Sequence, residues 1–208
     1  QALTDGQLCV HYQPVHALRD AAMVGVEALV RWQHPERGLV PPGQFIPIAE
    51  RSGLIAEIDT WVLATACRQM RRWQDEGKAL DFVAVNISSR LFSHHDLYRQ
   101  VEKVLAETQL APAYLELEVT ESAVMDDPDR ALEQLHHLRD LGLQLAIDDF
   151  GTGYSSLLRL KRLPVHKLKI DQGFVAGLPG DEDDVAITTA IIALAHSMGM
   201  QVHAEGIE

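Results

Sequence analysis

The sequence predicts an α/β fold in which parallel strands alternate with helices and the first two strands form a hairpin. Short apolar runs with the composition of strands recur along the chain, and they are LCVHYQPV, MVGVEALV, DFVAVNIS, YLELEVTE, LQLAIDDF, HKLKID and QVHAEGIE. Helical patterns lie between most of these runs, which is the order of βαβ units around a parallel sheet. The segment between the first two runs is too short for a crossover connection. These two strands are therefore expected to pair antiparallel.

Longer segments between the strands have apolar residues near the 3.6-residue period of a helix. These segments are residues 55–77, 94–110, 127–142 and 183–199. Gly77, Gly142 and Gly199 stand where three of the helices are expected to end. Asp127 is expected to cap the helix that follows it, with Pro128 at the first helical position.

Composition indicates one globular domain that spans residues 1–208. Hydrophobic residues make up 47% and charged residues 23% of the 208 residues, and no segment has the composition of a linker. The net charge of −12 argues against a DNA or RNA polymer as partner. No apolar run is long enough to span a membrane and no export signal is present, so this domain is expected in the cytoplasm without membrane contact. The first residue is not Met, which suggests a piece of a longer protein that could itself be membrane-anchored.

A polar or ionisable residue stands at the C-terminal end of nearly every predicted strand. These residues are Glu27, Asn86, Glu118, Asp148 with Asp149, Lys169 and Glu205. Barrels of alternating strands and helices build their active sites at that face, from side chains of several strands. An ordinary surface charge explains one polar residue at the end of a strand, but it does not explain polar residues at the ends of six strands. We therefore expect these side chains to form one cluster.

The predicted cluster has the chemistry of a site for divalent metal ions. Carboxylates that lie side by side raise one another's pKa, and bound cations remove that conflict. Hard oxygen ligands without His or Cys favour Mg²⁺ or Mn²⁺. Asp148 and Asp149 point to opposite faces of a regular strand, so both can act only if the strand end bends, and Gly151 and Gly153 would give that freedom. Two ions about 4 Å apart serve in-line displacement at phosphorus, with Lys169 as proton acceptor or electrostatic anchor.

Several motifs of this chain are specific enough to indicate a family. They are Glu27-Ala28-Leu29, Val85-Asn86-Ile87-Ser88, Glu118-Val119-Thr120-Glu121, DDFGTGYSS at residues 148–156, Leu168-Lys169-Ile170-Asp171 and Ala204-Glu205-Gly206-Ile207-Glu208. With these motifs the chain resembles the EAL domain family, the cyclic di-GMP phosphodiesterases of bacterial signalling. The resemblance implies hydrolysis of cyclic di-GMP to linear pGpG. It also implies a modified TIM (β/α)8 barrel with an antiparallel first strand, whose closing eighth strand would follow Glu208.

The resemblance also implies a role for individual residues. Glu27, Asn86, Glu118 and Asp148 would hold one metal ion, and Asp148, Asp149 and Glu205 would hold the second. Lys169, Glu205 and Glu27 would be catalytic, with Lys169 assisting the attacking water. Gln13, Leu29 and Arg31 would line the substrate groove, where Arg31 contacts phosphate. Glu121 would brace the loop at 150–156, which in the family often forms a homodimer contact, and Glu208 would support the ligands from the layer behind them.

Two other functions stay open at this point. The first is a degenerate EAL domain that binds cyclic di-GMP as a receptor without cleaving it, although every ligand position within the chain is intact. The second is a barrel glycosidase with two carboxylates, but the Asn and Lys in the cluster and the excess of acids fit metal ions better. The chain departs from the usual EAL pattern at His203, where the family usually has a small apolar residue. Other signalling domains are expected in the full-length protein.

Overall fold

The chain divides into two compact units, residues 1–117 and residues 118–208. The computed structural model describes residues 2–3, 5–94, 96–152 and 157–207. Each of the seven predicted strands is present, and so are all of the predicted long helices. In the described part of the chain, no helix combines the length and the apolar character needed to cross a membrane.

The strands of unit 1 confirm the predicted antiparallel hairpin. Strand β1 (Leu8–His16) pairs antiparallel with β2 (Met23–His34), with Gln13 opposite Glu27. The short strand β3 (Gly38–Val40) also pairs antiparallel with β2 and was not predicted, because three residues show no period. Strand β4 (Phe82–Ile87) pairs parallel with β2. A parallel strand therefore begins directly beside the hairpin.

The helices of unit 1 are α1 (Pro42–Ser52), α2 (Ile55–Asp75), α3 (Ser89–Phe92) and α4 (Leu97–Thr108), followed by a 3₁₀ turn at Pro112–Tyr114. Helix α2 has the predicted start and ends two residues before Gly77, which has a positive φ of 75°. It packs against β4 and α4. The apolar face of α2 is buried in these contacts, so the helix covers β4 on one side.

Strand β5 (Leu115–Thr120) begins in unit 1 and ends in unit 2. Unit 2 contains three further strands, β6 (Gln144–Phe150), β7 (Lys167–Ile170) and β8 (Gln201–Ala204), and β7 pairs parallel with both of the others. Its helices are α5 (Glu121–Asp126), α6 (Pro128–Asp140), α7 (Leu157–Leu160), α8 (Gln172–Val175) and α9 (Glu182–Ser197). Asp127 caps α6 by accepting from the Arg130 backbone N–H at 3.4 Å, as predicted.

Polar side chains interrupt the buried strands of unit 2 at their C-terminal ends. Strand β7 is buried at all four positions, yet one of these, near its C-terminal end, is Lys169. Glu118 on β5 is 1% exposed and Lys169 is fully buried. Burying charged groups is costly unless they are paired, so this end of the unit requires an electrostatic explanation. The predicted strand beyond Glu208 stays a prediction.

Candidate active site

Glu27 and Asn86 form the polar end of the sheet in unit 1. Glu27 on β2 lies opposite Ala84 on β4, so Asn86, two residues further along β4, projects from the same face. The Asn86 side chain donates from Nδ2 to Glu27 Oε1 over 2.7 Å. This bond leaves the amide oxygen of Asn86 available, and an amide oxygen is a ligand that hard cations accept.

The proposed substrate residues share this face with Glu27. Leu29 and Arg31 follow Glu27 at two-residue steps along β2, and Gln13 lies directly opposite Glu27 on β1. Gln13 is exposed, whereas Leu29 and Arg31 are half-buried. Arg31 donates from Nη1 to the carbonyl of Val30 over 2.9 Å, which uses one of the five donors of its guanidinium. Their contact with a substrate stays a prediction.

In unit 2 the buried Lys169 lies at the centre of three carboxylates. Its Nζ is 2.7 Å from Glu118 Oε2, 2.7 Å from Glu205 Oε1 and 3.2 Å from Asp148 Oδ1. These partners come from the ends of β5 and β6 and from the segment after β8, so the convergence predicted for this unit is present. One lysine side chain therefore faces three carboxyl groups within 3.2 Å.

Asp148, Asp149 and Glu205 can each direct one oxygen to a common point. The three ligand atoms lie within 4.8 Å of one another. Adjacent strand residues can do this only because β6 is irregular between Ile147 and Phe150. Asp149 has a φ of 53°, so the bend lies at the aspartate itself, while Gly151 follows with a φ of 101°. The expected freedom at Gly153 lies outside the described residues.

The electrostatics of this cluster fit a cation. Burial raises the pKa of Asp149, and the neighbouring carboxylates of Asp148 and Asp171 raise it further, while Lys169 opposes the shift. A carboxyl whose pKa is raised by like charges gains from a nearby positive ion. The ligand atoms are all carboxylate oxygens, which suit hard divalent metals. The residues of unit 2 therefore fit the metal that the sequence predicts.

Glu121 holds the chain directly after the acidic strand end. It is 2% exposed at the start of α5, and its Oε2 accepts from the backbone N–H of Gly151 over 2.9 Å. Gly151 lies near the start of the loop at 150–156, which Glu121 is predicted to brace. Residues 153–156 of that loop and Glu208 lie outside the described residues, so the dimer contact and the role of Glu208 stay predictions.

His203 lies beside Lys169 in the sheet. It is opposite Lys169 in the parallel register of β7 and β8, and it is half-buried. Burial lowers its pKa to about 4, with Lys169 and Lys167 contributing and Asp148 opposing. The ring is therefore neutral at physiological pH. A neutral ring adds no charge to the cluster.

Sequence reasoning missed a buried acid in unit 1. Asp59 on α2 is 7% exposed and accepts hydrogen bonds from the backbone N–H of Ser88 at 3.0 Å and from the Ser88 hydroxyl. Its spacing gave a signal. Asp59 is four residues after Ile55 and four before Leu63, both buried, so it occupies a position of α2 where an apolar side chain is expected.

Comparison with known proteins places these features in a family. The profile of the EAL domain family matches residues 1–208. The bifunctional diguanylate cyclase/cyclic di-GMP phosphodiesterase MucR of Pseudomonas aeruginosa is 51% identical over the whole chain, and the cyclic di-GMP phosphodiesterase NbdA of the same organism is 46% identical over the same span. The solved structure of the MucR phosphodiesterase in complex with c-di-GMP has a TM-score of 0.96 and 51% identity, and the match covers 100% of this chain and 84% of that one.

The matched structures are TIM-barrel-like, which confirms the predicted fold class. This chain spans 30% of the length of MucR and 27% of that of NbdA, so these relatives contain long additional segments. The family profile nevertheless covers every residue of this chain, and the matches to the relatives run through all of it. The chain belongs to the EAL domain family.

Proposed function

We propose that this chain is a metal-dependent phosphodiesterase that hydrolyses cyclic di-GMP to linear pGpG. The observation that carries the proposal is the acidic cluster of unit 2, in which Asp148, Asp149 and Glu205 converge beside the buried Lys169. Membership of the EAL family supports the same chemistry, and two relatives are named cyclic di-GMP phosphodiesterases. The barrel glycosidase is not favoured, because the family is a different one.

The proposed cofactor is Mg²⁺ or Mn²⁺, with two ions per site. The proposed ligands are Glu27, Asn86, Glu118, Asp148, Asp149 and Glu205. When bound, such ions activate water and stabilise the charge on the phosphoryl oxygens during in-line displacement. The ligand set contains carboxylate and amide oxygens only, which is the donor chemistry that these two ions prefer.

The protein's own side chains have distinct tasks in the proposed reaction. Lys169, an ammonium fixed by its carboxylate partners, directs a positive charge to the attacking water, which it orients and makes more acidic, so that the proton can pass to a neighbouring carboxylate of the cluster. Glu205 and Glu27 act with it as catalytic residues. Gln13, Leu29 and Arg31 bind the dinucleotide, and Arg31 contributes a phosphate contact through the donors that its bond to Val30 leaves available.

The remaining proposals concern the context of the domain. Residues 1–208 act as one EAL phosphodiesterase domain, in a longer protein that carries other signalling domains, since the curated relatives extend far beyond the matched region. A homodimer forms through the loop at 150–156, which Glu121 braces, and Glu208 supports the metal ligands. The two free cysteines, Cys9 and Cys67, suit the cytoplasm. The acidic net charge disfavours a nucleic-acid polymer, and no membrane contact by this domain is proposed.

One assay separates the phosphodiesterase from a degenerate receptor. The purified protein is incubated with cyclic di-GMP and Mg²⁺ or Mn²⁺, with and without excess EDTA, and the products are separated by liquid chromatography. We expect pGpG in the metal samples only. Asp148→Asn is expected to abolish the product, whereas Asp140→Asn, an exposed carboxyl at the end of α6, serves as the matched control and is expected to retain it.

Each alternative gives a different result in that assay. Binding of cyclic di-GMP without any product identifies a receptor. Turnover that persists in excess EDTA refutes the metal mechanism, and absence of both binding and turnover refutes the proposed substrate. Full activity of Asp148→Asn would remove the acidic cluster from the mechanism.

A further inference from the structure

Asp59 is a buried carboxyl with no role in the site proposed above. It lies in the second turn of α2 among buried apolar residues and is 7% exposed. Within the described part of the chain, its hydrogen bonds go to Ser88 alone. A carboxylate buried without a cation is costly, and the hydrogen bonds that its oxygen accepts offset part of that cost.

Ser88 is the first residue after β4 and the second after Asn86. Its hydroxyl oxygen accepts from the Leu91 N–H at 3.3 Å and so caps α3, while its carbonyl accepts from the Phe92 N–H at 2.8 Å. Asp59 binds the two donors of the same residue, the backbone N–H and the hydroxyl. The direction of the backbone directly after Asn86 is therefore fixed from α2 on one side and from α3 on the other.

We propose that Asp59 is a positioning residue that holds Asn86 through Ser88, so that the Asn86 amide keeps the orientation of a metal ligand. The inference rests on the proposed function, because it assigns the amide oxygen of Asn86 to a metal. The amide nitrogen of Asn86 already donates to Glu27 at 2.7 Å, and this bond fixes the rotation of the amide. The bond can do so only while the C-terminal end of β4 stays in place. Asp59 supplies that constraint from a long helix packed on the same strand.

The ionisation of Asp59 agrees with this role. Burial raises the pKa of Asp59 to about 6, Glu50 contributes in the same direction, and the two bonds from Ser88 oppose the shift. At neutral pH and above the group is therefore mostly ionised. A carboxylate oxygen can accept from both donors of Ser88.

The test is a graded series of variants at both ends of the contact. Asp59→Ala removes the acceptor, Asp59→Asn keeps an acceptor oxygen, and Ser88→Ala removes the hydroxyl but keeps the backbone N–H. The matched control is Thr60→Val, on the next residue of α2, which removes bonds of a half-buried hydroxyl to Ala56 and Gln100. Denaturant unfolding at the assay pH reports which variants are folded.

Three measurements are made on each variant at the same pH. The first is kcat and KM for cyclic di-GMP. The second is Mn²⁺ affinity without substrate, by electron paramagnetic resonance, and the third is the side-chain amide resonance of Asn86 by NMR. The second and third do not require turnover. A protein that fails to cleave cyclic di-GMP refutes the proposed function, while these two measurements still decide the role of Asp59.

We expect Asp59→Ala to lower kcat and Mn²⁺ affinity by about 10-fold, with KM changed by less than about twofold, since removing a group that supports a ligand typically costs 10–100-fold. Ser88→Ala is expected to lower kcat and Mn²⁺ affinity by about threefold. For Asp59→Asn and Thr60→Val, both quantities are expected to stay near those of the parent. The Asn86 resonance should shift in Asp59→Ala but not in Thr60→Val.

Unchanged Mn²⁺ affinity and an unchanged Asn86 resonance in Asp59→Ala would overturn the proposal. If Asp59→Ala fails to fold, a Ser88→Ala variant equal to the parent in all three measurements overturns it instead.

Discussion

Asp59 makes the stability of this protein depend on pH in a direction opposite to that of most paired acids. Its pKa is about 6 in the folded protein, against an ordinary value of 3.8. A group with a raised folded pKa binds its proton more tightly in the native state than in the unfolded chain. Its protonation therefore stabilises the fold, and this contribution is complete below pH 3.8 and is lost as the pH rises through 6.

The size of the effect follows from the two pKa values. A difference of about two pKa units corresponds to roughly 3 kcal/mol when the whole range is titrated. Between pH 8 and pH 5, where the fold is easier to study, the linkage relation gives about 1.4 kcal/mol. Over this interval the native state takes up most of a proton at Asp59 while the unfolded chain takes up almost none.

The measurement compares the parent with Asp59→Asn, which does not titrate. The free energy of unfolding of each is determined by urea titration at pH 8 and pH 5, and the difference between the two proteins is expected to change by about 1.4 kcal/mol in favour of the parent at pH 5. Asp75→Asn, an exposed acid on the same helix, controls for the loss of a surface charge. A difference that is the same at both pH values would refute the reasoning, because it would mean that Asp59 has no raised pKa.

Four further outcomes are expected. Lys169→Met should lower kcat about 100-fold and leave KM within about threefold, because the side chain acts on the water; equal loss in binding and rate would reassign it to the substrate. Ca²⁺ should support less than about a tenth of the Mg²⁺ rate because its coordination is longer and looser, and comparable rates would contradict that. Gly151→Ala should destabilise the fold by roughly 1–3 kcal/mol in urea titration, since φ is 101° and a Cβ would lie 2.9 Å from the Phe174 ring; an unchanged midpoint would refute this. His203→Val should keep the rate within about threefold, because the ring is neutral; a large loss would give His203 a catalytic task.

The strands and the long helices could be predicted because their apolar residues recur with a clear period. Helix α1 was missed for a physical reason. It contains Gly43 near its start and Pro47 in its middle, which are poor helix formers, and it forms because Phe45 and Ala49 are buried. The four-residue helices α3, α7 and α8 are too short to show a period, and their positions depend on the strands that they follow.

The candidate site was predictable to the extent that it depends on strand ends. The positions of Glu118, Asp148, Lys169 and Glu205 after apolar runs indicated that they converge, and within unit 2 they do. Asp59 was not found: its spacing places it on the apolar face of α2, but the sequence does not show what an acid on that face would contact. The missing information was tertiary: a long helix had to place this carboxyl beside the first residue after β4.

The geometry at Asp149 shows why adjacent acids alone do not define a metal site. In a regular strand the carboxylates of Asp148 and Asp149 would point to opposite faces, and only the positive φ of Asp149 brings both to one point. A non-glycine residue rarely adopts that conformation, so other contacts must hold it. The Asp149 N–H donates to Asp148 Oδ1 at 3.0 Å, and Glu121 at the start of α5 accepts from Gly151 at 2.9 Å on the other side of the bend. The two aspartates thus become joint ligands through a backbone conformation that a residue 30 positions away helps to maintain, which is information that the DDFG sequence does not contain by itself.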